Sequence, residues 1–471
     1  MERRLPAEPA TTGRSSSLLP SAKAIAATAL AALALAACGQ GFSAGDTRTG
    51  ALPGASLERA AAASKIAHVV IIFQENRSVD DLFNGLPGAD TVRSGENSHG
   101  KTVDLKPELL TAPYDLDHEH QAFEIEDANG QLNGFNNVTS TCKVRATCPP
   151  SYLRAYGYVP KSEVQPYFDM AESYTFADRM FQSNEGPSFP AHQYIISGTS
   201  TIADGSDLRA ASNAFAPSGG FTGGCDSPVG SFVWLIDPFG NENQAMYPCF
   251  DRLTLMDLIA KKSLSWTYYL DNVAPGLWNA PDAILHIRES KEYSLRVVSP
   301  PSTVLSDIAH GRLATVSWVT PTALASDHAG VTNGTGPSWV ASVVNAIGKS
   351  AYWKDTAIFV TWDDWGGWYD HVAPQQYNSY ELGFRVPLLV ISPYAKAHYI
   401  SHVRHEFGSI LKFTEETFGL GSLNTTDVRS DDLSDCFDFS QSPIQFTPIP
   451  SKYGPSYFLR QSVSAQAPDD D

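Results

Sequence analysis

The sequence predicts an α/β protein: a central, mainly parallel sheet with helices on both faces, carried by a single elaborated domain. Three observations predict it. Two apolar runs, VVIIF at 69–73 and TAIFVTW at 356–362, have the unbroken hydrophobicity of strands buried on both faces. Each run stops abruptly at ligand-type side chains, Glu75-Asn76 after the first and Asp363-Asp364 after the second. Helical patterns lie between them, as in AHQYIISG after Pro190 and in residues 338–347. No Pro/Gly/Ser-rich linker, charge run or repeat divides residues 65–455, so one catalytic domain is expected there.

The strand ends are where chemistry is expected. In open α/β sheets ligands gather beyond the carboxyl ends of the strands. Glu75 and Asn76 offer oxygens to a hard divalent cation. Asp363 and Asp364, adjacent after a hydrophobic strand, are costly without a counter-charge. One such Asp pair alone reads as a turn. Two strand-end clusters of oxygen ligands in one chain read as a joint metal site.

Ser188 lies in SNEGPSFPAHQYIISGTS at 183–200, just before the start of a predicted helix. Free N–H groups and the helix dipole favour an anion there. On the residues alone Ser188 is either an anion-site nucleophile or an ordinary helix cap, and the cap is the commoner role. It is not in a G-x-S-x-G elbow, which argues against a serine-hydrolase triad. His118 (in YDLDHEH) and His328 (in SDHAG) sit in polar loops that suit phosphate contact or proton transfer; His371 follows Asp370.

The ends of the chain read differently. Arg3, Arg4, Arg14 and Lys23 precede an Ala/Leu-rich run at 24–37 that is too short to span a bilayer, the pattern of a secretory signal. Leu35-Ala36-Ala37-Cys38 resembles the bacterial lipobox, so residues 1–37 are expected to be removed and Cys38 lipidated, anchoring an exported protein to a membrane. An ordinary signal, giving a periplasmic or secreted protein, is the alternative. Residues 38–64 read as a flexible tether and 456–471 as a disordered acidic tail. The formal charge is −18. Losing the leader, with four cations and two carboxylates, makes it about −20, which disfavours nucleic acid as a partner but not a small phosphorylated substrate beside a local cation. Cys142 with Cys148, and Cys225 with Cys249, are plausible disulfides in an oxidising compartment; Cys436 is left over.

Taken together these segments resemble the bacterial phosphoesterase family that contains non-haemolytic phospholipases C and a class of acid phosphatases. HVVIIFQENRSVDDLF, LDHEHQAFEIEDANGQLNGF, NEGPSFPAHQYIISGT, FVTWDDWGGWYDHVAP, FRVPLLVISPYAK, EFGSILKFTEETFGL and DDLSDCFDF follow the family's order from about residue 68 to 439. The resemblance implies an alkaline-phosphatase-like fold. It implies metal ligation by Glu75, Asn76, Asp363 and Asp364, a nucleophile at Ser188, and phosphoryl contacts from His118 and His328. The cation would be of the Ca²⁺, Mg²⁺ or Mn²⁺ class. The substrate would be a small phosphate ester or a phospholipid. Phospholipase C members tend to have Thr at the place of Ser188 and Asn-Arg at the place of Ala191-His192, and many members have Glu for Asp364 and His or Asn for Trp365. Ser188 therefore leans towards the phosphatase branch, with hydrolysis through a phosphoserine. Phospholipase C activity and a non-catalytic binding lipoprotein are the alternatives.

Overall fold

The computed structural model describes residues 65–143 and 147–463, all within one of two compact units, Ala51–Asp471. The expected signal, Cys38 and the tether lie outside the described residues, as do the last eight residues of the expected tail. The boundary expected at 455/456 falls inside an element, because Pro455–Phe458 forms a helical turn and Phe458 packs on Trp339 with ring centroids 5.3 Å apart. Among the described residues no helix is long and apolar enough to cross a membrane.

The main sheet has eight strands. In chain order they are β1 (His68–Gln74), β2 (Thr175–Ala177), β3 (Trp266–Tyr269), β4 (Val297–Val298), β5 (Val316–Val319), β6 (Thr356–Trp362), β7 (Leu388–Ile391) and β8 (Tyr399–Ser401). Their spatial order is β4-β3-β5-β1-β6-β7-β2-β8. All neighbours pair in parallel except those of β7, which runs against both β6 and β2. The expected mainly parallel α/β sheet is thus present. Its centre is β1 and β6, the two runs whose side chains are almost all buried. A strand covered on both faces cannot alternate polar and apolar residues, which is why these two read as continuous hydrophobic stretches.

Each face of the pair meets a different helix, as the strand period of two requires. The helices used below are α1 (His120–Asp127), α2 (Gln165–Ser173), α3 (Ser188–Ser197), α4 (Gly336–Gly348) and α5 (Phe407–Phe418). On one face the Phe73 ring lies 5.5 Å from His192 of α3 and 6.0 Å from Phe407 of α5, and Phe359 lies 5.1 Å from Phe413. On the other face Trp362 meets Tyr167 of α2 at 5.0 Å, and Gln74 Nε2 donates to the Tyr167 hydroxyl at 3.0 Å. α4 packs against α2 on that side.

Both expected disulfides, Cys142–Cys148 and Cys225–Cys249, are formed, and Cys436 is a buried free thiol. The second disulfide closes a stretch that holds Val233–Ile236 and Gln244–Met246, two strands of a small antiparallel sheet whose third strand is Arg209–Ala210. The sequence did not signal that sheet, because strands of two to four residues carry too few side chains for a period to emerge.

Candidate functional site

Register creates the site. Gln74 of β1 pairs with Trp362 of β6, so Glu75 and Asp363 emerge side by side one residue later. The chain crossings continue past the strands: Asp363 N donates to Gln74 O at 3.0 Å, and Arg77 N to Asp364 O at 3.0 Å. On the far side of β1, Glu75 N donates to Ser326 O at 2.8 Å, which brings in the loop that follows β5 and carries Asp327 and His328. Three adjacent parallel strands thus deliver their carboxyl ends to one spot.

The backbone is strained where it turns. Asn76 and Asp327 hold φ of 61° and 75° without being glycine, a state that persists only when surroundings impose it and that gathers at functional sites. Gly366 shows why the acidic loop needs glycine: its φ is 64°, and a Cβ there would lie 2.4 Å from Asn76 O.

The structure gathers Glu75, Asn76, Asp363, Asp364, Ser188, His118 and His328. Ser188 is the first residue of α3 rather than the residue before it. Its Oγ lies 3.3 Å from Glu75 Oε2 and 3.3 Å from Asp364 Oδ2. The free N–H of Phe189 at this helix start is held by Asn213 Oδ1 at 3.0 Å. His118 Nε2 lies 2.8 Å from the Asn76 amide and 4.0 Å from Asp364 Oδ2. The His118 and His328 rings sit 5.9 Å apart. Trp365, at the position that departs from the family pattern, donates Nε1–H to Glu126 of α1 at 2.6 Å and so ties the acidic loop to the helix that follows His118.

One residue was missed. His192 Nε2 lies 3.3 Å from Glu75 Oε1 and 3.7 Å from Asp363 Oδ2, and these three side chains are close enough together to hold one ion. The signal was available, since Ser188 and His192 are four apart and share a face once a helix begins at 188. His371, by contrast, lies elsewhere. It contacts Asp80 Oδ2 at 2.5 Å and Asp90 Oδ1 at 3.2 Å, in a network where Arg385 grips Asp370 at 2.8 and 3.0 Å. With Ser78 Oγ donating to Tyr369 O at 2.7 Å, this network clamps the turn after β1 to the loop after β6.

The electrostatics call for a cation. Glu75, Asp363 and Asp364 are fully buried, and Arg77 is occupied by Asp81 and by the carbonyls of Leu110 and Asp327. Burial, and next the charge of Glu75, hold the Asp363 carboxyl well above the ordinary range. Its Oδ2 has no hydrogen-bond partner. Burial lowers His192 to about 4, against the pull of Asp363, so its ring is neutral and able to ligate.

The Asn76 amide gives a second indication. Leu116 O lies 2.7 Å from His118 Nδ1 and Ala329 O lies 2.7 Å from His328 Nδ1. A carbonyl only accepts, so each Nδ1 donates and a neutral ring keeps its lone pair on Nε2. Those lone pairs require the amide nitrogen of Asn76, and its oxygen then faces Glu75 Oε2 at 3.3 Å and Asp363 Oδ1 at 3.2 Å. Swapping the amide would satisfy those carboxylates without a cation, but only if both rings were imidazolium. With neutral rings, the Asn76 carbonyl oxygen faces two carboxylate oxygens, an arrangement suited to a divalent ion.

The profile of the Phosphoesterase family matches residues 66–421. Phospholipase C B of Mycobacterium tuberculosis is 24% identical over 441 residues, covering 80% of this chain and 78% of its own. Non-hemolytic phospholipase C of Pseudomonas aeruginosa is 23% identical, covering 80% of this chain and 57% of its own. Non-specific phospholipase C1 of Arabidopsis thaliana is 22% identical, covering 81% and 73%. Among solved structures, a protein in the alkaline phosphatase superfamily from Vibrio parahaemolyticus has a TM-score of 0.37 at 10% identity, covering 79% of this chain and 70% of that chain. The strand order, rather than that likeness, carries the fold assignment.

Proposed function

The chain belongs to the Phosphoesterase family, and from that premise we propose that it hydrolyses phosphate esters through Ser188 beside a bound divalent cation. The observation that carries the reading is one hydroxyl, Ser188 Oγ, held 3.3 Å from two buried carboxylates at the strand ends. Glu75, Asn76, Asp363 and Asp364 would hold the cation, and His192, clustered with Glu75 and Asp363, would join them. When bound, the cation neutralises this buried charge, polarises a phosphoryl oxygen and favours the serine alkoxide.

The chain's own residues supply the rest. Ser188 Oγ passes its proton to Glu75 or Asp364 and attacks phosphorus, forming an Oγ–P bond as the P–O bond to the alcohol breaks. The N-terminus of α3 favours the negative charge that gathers there. His118 and His328 face the same amide from the other side, where they would contact the phosphoryl group, and the departing alkoxide takes its proton from water. Water then cleaves the phosphoserine, returning the proton to Ser188 and releasing phosphate.

His192 also narrows the cation. Imidazole suits Ca²⁺ and Mg²⁺ poorly, so of the three ions expected from the sequence Mn²⁺ fits the donor set best. His192→Ala is expected to weaken metal binding by at least about 10–100-fold, the loss typical of even a supporting residue around a metal. Titration against a competing chelator measures this, and unchanged affinity removes His192 from the site.

Ser188, where the phospholipase C members of the resemblance tend to have Thr, favours a soluble phosphomonoester of the acid-phosphatase kind. The names of the relatives favour a second reading, phospholipase C cleavage of a lipid headgroup. Chelated protein restored with one metal at a time, assayed on p-nitrophenyl phosphate and on phosphatidylcholine vesicles, separates the two. Monoester turnover is expected. Cleavage of the vesicles alone selects the second reading, and turnover of neither ester with any metal leaves a binding lipoprotein. Export and anchoring through Cys38 belong to the same reading, supported by Leu35-Ala36-Ala37-Cys38. Cys38→Ala is expected to move the protein from the membrane fraction to the soluble one; unchanged retention overturns the anchor.

A further inference from the structure

Away from the phosphoryl site, at the outer edge of the sheet, three different donor atoms converge. β8 ends at Ser401, His405 follows, and the closing segment returns past them with Asp431, Asp435 and Cys436. His405 Nε2 is 3.7 Å from Asp435 Oδ1 and 4.0 Å from Cys436 Sγ, and Cys436 Sγ is 3.6 Å from Asp435 Oδ1. The geometry points to a second metal site here, a zinc-class ion held by His405 Nε2, Asp435 Oδ1 and the Cys436 thiolate.

The distances suit such an ion. Tetrahedral bonds of about 2.0–2.3 Å to N, O and S place neighbouring ligand atoms roughly 3.3–3.6 Å apart, and the three observed separations lie within about 0.5 Å of that range. The imidazole is correctly turned. Asp431 Oδ1 lies 2.8 Å from His405 Nδ1, and a carboxylate accepts that N–H, leaving Nε2 for the ion. A carboxylate behind a histidine is the usual support for a ligating ring. Asp435 is prepared in the same way: Ser401 Oγ donates to its Oδ2 at 2.5 Å, which leaves Oδ1 facing the thiol and the ring. Ser401 Oγ, 3.0 Å from Nε2, closes the fourth side. Because its proton is given to Asp435, Ser401 does not form a nucleophile–His405–Asp431 relay. Cys436 and His405 are buried, while the Asp435 side chain is 23% exposed and gives the ion a way in.

The donor chemistry separates the two sites. The phosphoryl site has oxygens and one imidazole; this one has a thiolate, which selects zinc-class ions. The thiol proton leaves to solvent on binding, so affinity rises with pH. An ion here would pin the closing segment to the sheet edge. It would also steady Glu406, which follows His405 and accepts from Ser183 Oγ at 3.0 Å in the segment leading to Ser188.

The test uses the full chain with Cys38→Ser, so that Cys436 is the one thiol outside the two disulfides. After chelation, Co²⁺ is titrated in. A near-ultraviolet thiolate-to-cobalt charge-transfer band is expected, saturating at one ion per chain and displaced by Zn²⁺. It is expected to vanish in Cys436→Ala and to weaken at least tenfold in affinity in Asp435→Asn, which guards against a Cys436 variant that fails to fold. Absence of the band, or its persistence without Cys436, overturns the site. The phosphoryl site has no sulfur and cannot produce this signal.

Discussion

Ser188→Ala is expected to lower phosphoester turnover by about 10⁴-fold or more, the scale seen when a covalent nucleophile is removed from a preorganised site. The fold should survive. α3 keeps its first N–H bond to Asn213, and Pro190 and the buried face of the helix are untouched. Metal affinity should change little, because the carboxylates and His192 remain. Steady-state rates, chelator competition and thermal melting on the same preparation check all three. Near-normal turnover rejects the nucleophile. Ser188→Thr keeps a hydroxyl and is expected to retain most of the rate that Ser188→Ala loses.

Asp363→Asn is expected to act in opposite directions with and without metal. In loaded protein it removes a charged ligand, so turnover is abolished and the stabilisation from metal, about 4 kcal/mol at a thousandfold excess over the dissociation constant, is lost. In chelated protein it removes a buried charge beside Glu75, and melting should rise by the equivalent of about 1–3 kcal/mol. The pH dependence follows from the raised carboxyl. A group that binds its proton more tightly when folded costs stability as pH rises from its unfolded value towards its folded one. The advantage of Asp363→Asn in chelated protein should therefore shrink as pH falls towards 4. Differential scanning calorimetry across that range measures it. A variant less stable than wild type in chelator at neutral pH overturns the view that a buried Asp363 charge beside Glu75 is costly here.

The legible parts of the site were those that a strand announces. Glu75-Asn76 and Asp363-Asp364 stood out because double-sided burial forces a hydrophobic run and the polarity breaks where the strand leaves the core. Their side-by-side placement was not legible, since the register of Gln74 with Trp362 is set by sheet pairing across the fold. Ser188 alone looked like a cap; its two carboxylate neighbours come from other strands. His192 was hidden by the burial of all of α3, whose sequence shows no polar face to mark a ligand. The reversed direction of β7 was equally silent, because LLVI reads the same in either sense.

The pairing of Gln74 with Trp362 also decides when the phosphoryl site can first hold an ion. Bringing together segments nearly three hundred residues apart costs the free chain about 5 kcal/mol in loop-closure entropy before any ligand atom meets another. An unfolded or half-made chain consequently has almost no affinity for the cation. On the proposed reading, a metal would be acquired only after the sheet has closed, from the ions of the compartment where that happens.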